Sequence, residues 1–119
     1  MFQLTKEFRF EAAHTLVRTI ETEASRRVHG HSYRAEVTIG GEIGDNGMLV
    51  DLGLFAQALA RVRERLDHHF LDEIPELAPA TLERLALFVW RHLAREFPGL
   101  VSVAICRDSL GERCLYRPG

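Results

Sequence analysis

Two stretches near the start of the chain alternate apolar and polar residues with a period of two. They run from about Phe2 to His14 and from His29 to Glu42. Because successive side chains of a strand point to opposite faces, this pattern predicts two β-strands. One face of these strands carries Phe8, Phe10, Ala12, His14, His29, His31, Tyr33, Ala35, Val37 and Ile39. The polar stretch between them, Thr15 to Arg27, is predicted to be a long loop.

Two later segments repeat apolar residues at helical spacing. Asp51 is placed to cap a helix from about Leu52 to Leu66, and Thr81 to cap a second helix that ends near Phe97. Pro98 and Gly99 then stop the second helix. The inward-facing residues are expected to be Leu52, Phe55, Leu59, Val62 and Leu66 in the first helix, and Leu82, Leu85, Ala86, Val89 and Leu93 in the second.

The last part of the chain predicts a closing hairpin. A third strand around Val103 is followed by a turn at Ser109 to Glu112 and a fourth strand at Arg113 to Arg117. The order ββααββ indicates an α+β fold with a four-stranded antiparallel sheet and two helices on one face. Because the other face and the sheet edges then lack cover, the pattern favours a homo-oligomer.

Length and charge narrow the functional classes. The 119 residues fit one domain, 1–119, and the net charge of −2 predicts neither nucleic acid nor anionic membrane as a partner. Cys106 and Cys114 are too few for a disulfide framework. The start of the chain resembles a strand rather than a signal peptide, and no segment is apolar for long enough to span a bilayer. A reducing cytoplasm is the expected location.

Three histidines are the candidate metal ligands. His29 and His31 are two apart on one strand face, and His14 ends the neighbouring predicted strand. Three neutral imidazoles bind zinc and leave its fourth position open, as in catalytic sites. Gly30 between them would allow another backbone or a ligand to approach closely. The alternative is that the pair consists of ordinary surface or core histidines.

A second cluster, Asp67 and His68, lies at the C-terminal end of the first predicted helix. A carboxylate beside a histidine tunes imidazole basicity. Since adjacent residues on a helix do not face each other, the sequence predicts no local pair between these two side chains. The simple alternative is a charged helix end.

Six ordered motifs together resemble the 6-pyruvoyltetrahydropterin synthase family over essentially the whole chain, and its bacterial 6-carboxytetrahydropterin synthase branch in particular. The motifs are Phe10-Glu11-Ala12-Ala13-His14, His29-Gly30-His31, Gly47-Met48-Leu49-Val50-Asp51, Leu66-Asp67-His68-His69-Phe70-Leu71, Ala80-Thr81-Leu82-Glu83 and Cys114-Leu115-Tyr116-Arg117. No single motif is specific, but their combination is.

The resemblance implies the tunnelling fold, in which three sheets close a barrel and two trimers stack into a hexamer. It implies zinc on the three histidines and 7,8-dihydroneopterin triphosphate as substrate, within queuosine biosynthesis. Zinc would acidify the side-chain hydroxyls, a base would remove a carbon-bound proton, and triphosphate and acetaldehyde would leave. His68 with Asp67 would shuttle protons, serving a neighbouring subunit's zinc.

The chain departs from the family at two positions. Ser25 stands where the family has a cysteine base, and a serine hydroxyl is a far poorer acid than a thiol. The glutamate that anchors the pterin corresponds to Asp108 when counted back from Cys114, but to Arg107 when counted forward from Phe97. Chemistry favours Asp108, because a cation cannot accept the pterin's hydrogen bonds. The alternatives are an inert loop serine and a turn-initiating aspartate.

Several further residues have two interpretations. By resemblance Thr81 and Glu83 line the pterin pocket, although helix capping explains both. Arg26 and Arg27 would bind triphosphate or lie on a solvated loop, and Trp90 is expected in the core. The leading hypothesis is a zinc-dependent lyase. The alternatives are a non-catalytic pterin- or purine-binding paralogue and a zinc hydrolase acting on another substrate.

Overall fold

The computed structural model describes residues 1–119 as an α+β fold. Five strands and three α-helices form its regular structure. The strands are β1 (Phe2–His14), β2 (His29–Gly41), β3 (His69–Phe70), β4 (Leu100–Arg107) and β5 (Glu112–Tyr116). The helices are α1 (Thr22–Arg26), α2 (Leu52–Leu66) and α3 (Leu82–Leu93).

The sheet has the order β3-β1-β2-β4-β5. β1 and β2 pair antiparallel without interruption from Phe2↔Gly41 to His14↔His29, and β4 and β5 extend the sheet antiparallel. The prediction of four antiparallel strands omitted β3, which pairs in parallel with Ala12 and Ala13 of β1 and makes the sheet mixed. β3 forms because the chain turns sharply after α2, where His68 has a φ of 58°.

The two predicted helices are confirmed, with their predicted caps. The Asp51 carboxylate accepts a hydrogen bond from Leu54 N at 3.0 Å, and Thr81 Oγ1 accepts one from Arg84 N at 3.1 Å. α3 ends at Leu93, four residues before the predicted end. One further turn follows the helix, in which Phe97 N donates a hydrogen bond to Leu93 O at 3.0 Å. Caps at these points satisfy backbone N–H groups that the helix leaves unpaired.

The core lies between the two helices and one face of the sheet. The residues predicted for the apolar strand face are mostly buried there, as are the predicted inward positions of α3. Leu52 is an exception, because it is exposed at the start of α2. Trp90 packs against the core with its ring centroid 5.4 Å from that of Tyr116, as expected of a structural residue.

The predicted loop from Thr15 to Arg27 contains the short helix α1. Ser25 N donates to Glu21 O at 3.0 Å, and Leu16 N donates to Ser25 O at 2.7 Å, which ties the helix to the end of β1. The polar composition of the segment concealed this helix, because a five-residue helix lacks room for an apolar stripe.

The sheet face opposite the helices carries cross-strand ion pairs. Arg34 on β2 contacts Glu7, Glu36 and Asp108, and Arg113 on β5 contacts Glu36 as well. This face is therefore charged rather than apolar. None of the helices is both long and apolar enough to cross a membrane.

Candidate metal centre

The three histidines meet at one end of the sheet. His14 is paired with His29 in the last register position of β1 and β2, and His31 lies two residues further along β2. Nε2 of His14 is 2.9 Å from Nε2 of His29 and 3.1 Å from Nε2 of His31. The nearest ring nitrogens of all three lie within 4.8 Å of one another. The predicted convergence is thus present within a single chain.

The other ring nitrogens indicate which tautomers are present. His14 Nδ1 is 2.9 Å from the carbonyl oxygen of Ala80, and His29 Nδ1 is 2.8 Å from that of Arg27. A carbonyl only accepts, so both Nδ1 atoms carry the proton and donate it. In the neutral rings both Nε2 atoms then carry lone pairs, which face each other at 2.9 Å. A cation between them removes this repulsion, and a metal ligand histidine commonly has such an outer hydrogen bond.

Burial favours the neutral form of two of the three histidines. His14 is fully buried, and that burial lowers its pKa below the ordinary value, although the bond to Ala80 opposes the shift. Burial, followed by the positive charge of Arg107, lowers the pKa of His31 to about 4. Neutral imidazole is the form that binds metals. The donor set therefore fits a zinc ion, which accepts three histidines and an open position.

Asp67 and His68 do form a local pair, and the prediction that they would not was wrong. Nδ1 of His68 is 3.0 Å from Oδ2 of Asp67. The helical argument fails because α2 ends at Leu66: Asp67 is extended and His68 adopts left-handed backbone angles. Glu11 N donates to Asp67 Oδ1 at 2.9 Å, and this bond is the main cause that lowers the pKa of Asp67.

A cavity of about 450 Å³ lies at this end of the sheet. Its lining includes Glu11, Gly30, His31 and His68, but neither Asp67 nor the other two histidines of the cluster. An added Cβ at Gly30 would make ordinary contact, 3.5 Å, with Ala12 O, so no close backbone approach within the chain requires this glycine. Gly30 instead leaves room in the cavity.

Two neighbours of the cluster were not predicted to lie there: Tyr33 had no assigned role, and Arg107 was considered only as the alternative position of the pterin anchor. Tyr33 follows His29 and His31 on the same strand face, and its ring centroid is 5.7 Å from that of His31. Arg107 Nη1 is 3.4 Å from His31 Nε2. The period of two offered a signal for Tyr33, but Arg107 arrives from β4, and its position depends on a register that the sequence does not reveal.

Asp108 is not brought to the histidines within the chain. Its carboxylate accepts hydrogen bonds from Arg34 and Arg9 on the charged sheet face, and the Arg34 bond lowers its pKa. Arg107, the alternative position, faces the histidine cluster instead. The proposed anchor therefore does not join the metal cluster in one chain.

The remaining candidates lie around the cluster or away from it. Ser25 is buried in α1, which follows β1 and precedes β2 along the chain. Thr81 is half-buried beside Ala80, the carbonyl partner of His14, whereas Glu83 is exposed. Arg26 is also exposed, and Arg27 is exposed and paired with Glu23 at 2.8 Å.

Comparison with known sequences points to one family. The family model described as 6-pyruvoyl tetrahydropterin synthase matches residues 3–118. A 6-carboxy-5,6,7,8-tetrahydropterin synthase of Synechocystis is 33% identical, and the match covers 99% of this chain and 95% of the relative. A dihydroneopterin monophosphate aldolase of Pyrococcus furiosus is 31% identical over 87% of this chain and 82% of its own.

Solved structures give the same fold. The 6-pyruvoyl tetrahydropterin synthase of Caenorhabditis elegans superposes with a TM-score of 0.82 at 23% identity, over 99% of this chain and 96% of its own. The enzyme of Plasmodium vivax superposes with a TM-score of 0.76 at 17% identity, over 99% and 98%. The subunit fold that was predicted from the resemblance is thereby confirmed.

Proposed function

Because the chain belongs to the 6-pyruvoyl tetrahydropterin synthase family, we propose that it is a zinc-dependent lyase of the 6-carboxytetrahydropterin synthase type. Its substrate would be 7,8-dihydroneopterin triphosphate, which would take up one water and lose triphosphate and acetaldehyde to give the 6-carboxytetrahydropterin. The observation that carries this proposal is the convergence of three imidazoles on one point, with the Nδ1 atoms of His14 and His29 each bonded to a backbone carbonyl.

His14, His29 and His31 would hold the zinc ion. When bound, zinc supplies Lewis acidity that makes hydroxyls of the substrate side chain easier to deprotonate. The chain contributes orientation, because the carbonyls of Ala80 and Arg27 fix two of the three rings. A ring held in this way keeps its lone pair in place, so it loses less conformational entropy when a metal ion binds.

His68 is the proposed proton carrier at a side-chain carbon of the substrate. Asp67 accepts from Nδ1 of His68 at 3.0 Å, which leaves Nε2 free to take or give a proton. His68 is exposed, which leaves it accessible to a neighbouring subunit in a homo-oligomer. Asp108 is the proposed pterin anchor, and Thr81 and Glu83 are the proposed lining of the pterin pocket.

Triphosphate release provides the test. Zinc-loaded protein is incubated with 7,8-dihydroneopterin triphosphate, and triphosphate is measured beside a His31→Ala variant. His92→Ala is the matched control, because His92 pairs with Glu76 away from the cluster. The proposal expects release by the wild type and by His92→Ala. Triphosphate release by the wild type that is no greater than release by His31→Ala would contradict the lyase proposal.

A second candidate is a pterin-binding paralogue without turnover. Ser25 favours it, because the hydroxyl at the proposed base position is a poor acid and needs a base of its own to act. This candidate expects that 7,8-dihydroneopterin raises the unfolding temperature while no triphosphate is released from the triphosphate ester.

A further inference from the structure

Arg107 brings a positive charge to the histidine cluster. It is the last residue of β4, its side chain is 14% exposed, and Nη1 lies 3.4 Å from His31 Nε2. Glu112, opposite on β5, is its only ionic partner, with Oε1 2.6 Å from Nε. The N–H of Nε is nevertheless not directed at that oxygen. The guanidinium is thus held in place with hydrogen-bonding capacity to spare.

The lone pair of His31 Nε2 cannot serve two partners. In the chain alone it lies 3.4 Å from Nη1 of Arg107. Once that lone pair is bound to a metal ion, the N–H of Nη1 loses this acceptor. An unpaired donor on a mostly buried cation costs free energy, so the site then needs an acceptor at this point.

Tyr33 adds a second donor without a partner. Its side chain is 1% exposed, and its hydroxyl makes no hydrogen bond within the chain. A phenolic hydroxyl carries one proton that it can donate. The side chain of Arg107 lies within reach of this hydroxyl. Buried hydroxyls normally have partners, and an exception indicates a ligand or an ordered water.

We propose that Arg107 and Tyr33 form an anion subsite beside the three histidines, which receives a negatively charged oxygen of the ligand, such as the carboxylate of a small organic acid. The inference rests on the proposed function, because it takes the histidines as metal ligands. It extends that function by assigning the recognition of ligand charge to two residues outside the metal-binding set. Arginine suits this role because its planar fork matches a carboxylate.

Glu112 sets the strength of the subsite. Its carboxylate neutralises Arg107 and competes with the incoming anion. Neutralising Glu112 should therefore tighten anion binding, whereas neutralising Arg107 should weaken it. If the ion pair served only to hold the structure, loss of either partner would change anion binding in the same direction. Opposite effects of the two changes on anion binding would therefore indicate a subsite.

The test uses full-length protein loaded with Co²⁺, whose visible spectrum responds to ligands at the metal, and acetate as the carboxylate probe. Arg107→Gln is expected to weaken acetate binding by about tenfold or more, as expected for loss of a charged hydrogen bond. Arg107→Lys is expected to weaken it less, Tyr33→Phe by several-fold, and Glu112→Gln to tighten it. Arg113→Gln is the matched control, because it removes the same charge on the opposite face and should bind as the wild type does.

Two outcomes would overturn the subsite. One is equal acetate affinity in Arg107→Gln, Arg113→Gln and the wild type, which would show binding to the metal alone. The other is weaker binding in both Arg107→Gln and Glu112→Gln. Metal content and circular dichroism verify that each variant is folded and loaded, with Arg107→Lys as the second variant if Arg107→Gln is not. Arg107-dependent acetate binding without triphosphate release would sustain the subsite while the lyase proposal fails.

Discussion

The guanidinium of Arg34 binds the carboxylate of Asp108 through two parallel hydrogen bonds. Nε donates to Oδ2 at 2.9 Å, and Nη2 donates to Oδ1 at 3.0 Å. A pterin would offer the same kind of paired N–H edge to this carboxylate. If Asp108 is the pterin anchor, Arg34 occupies both acceptor oxygens before the pterin arrives.

Arg34→Ala is therefore expected to tighten pterin binding by about fivefold, the upper range for loss of a competing, partly exposed ion pair. Isothermal titration with pterin measures the effect. Arg113→Ala is the control, because Arg113 shares the partner Glu36 but does not touch Asp108. Weaker binding in Arg34→Ala would contradict the prediction and show that Arg34 orients Asp108 for the pterin.

Ser25→Cys is expected to raise the rate of triphosphate release by about tenfold or more. A thiol loses its proton far more readily than a serine hydroxyl, and general-base catalysis commonly contributes about a hundredfold or more. Single-turnover measurements with the zinc-loaded protein report this gain. Ser102→Cys, near the other end of β4 and opposite Thr38, controls for an added thiol. Equal rates in all three proteins would remove Ser25 from the catalytic assignment.

Asp67→Asn is expected to flatten the acid limb of the stability curve. The bond from Glu11 N, followed by those from His68 and the charge of Arg63, lowers the pKa of Asp67 below its ordinary value of 3.8. The folded state thus holds this proton more weakly than the unfolded state. The resulting stabilisation is complete above about pH 4 to 5 and disappears as the pH falls through the lowered pKa.

Urea unfolding between pH 6 and 2.5 measures this effect. The difference in free energy of unfolding between wild type and Asp67→Asn should shrink below the ordinary pKa of 3.8. Asp45→Asn, in the turn before Gly47, is the control and should show no such trend. A difference that stays constant across this range would show that the carboxylate charge contributes nothing.

Thr81→Ala separates capping from pterin binding. Loss of the hydrogen bond from Arg84 N is expected to cost about 1 kcal/mol of unfolding free energy, and Thr81→Ser should restore most of it. Asp51→Ala removes the equivalent cap of α2 and serves as the matched control. We expect Thr81→Ala to weaken pterin binding more than Asp51→Ala does. Equal pterin affinity in both would leave Thr81 with a capping role alone.

The sequence predicted the histidine cluster because a strand repeats every two residues. That period places His29 and His31 on one face, and the match between the ends of the two strands brings in His14. The two long helices were predictable for a similar reason, since each has a capping residue and a continuous apolar stripe. Local rules sufficed wherever neighbours in the sequence are neighbours in space.

The sequence failed where one backbone angle or a distant register decides the geometry. His68 has left-handed backbone angles, and these turn the chain so that the His68 ring contacts Asp67. A histidine at this position does not predict such a conformation. Arg107 faces His31, and Asp108 faces Arg34, because of how β4 aligns with β2. Counting residues from either end of the segment could not decide whether Arg107 or Asp108 lies on the histidine face of β4, because a shift by one position exchanges the two faces of a strand.

The register of β1 with β2 decides whether the three histidines can meet. A slip of one residue would turn His14 away from His29 and His31, so a misaligned hairpin would offer a metal ion at most two of its three ligands. If the histidines hold an ion, tight binding would therefore require correct strand pairing. The bound ion would then stabilise the native register of the hairpin and leave slipped registers without that stabilisation.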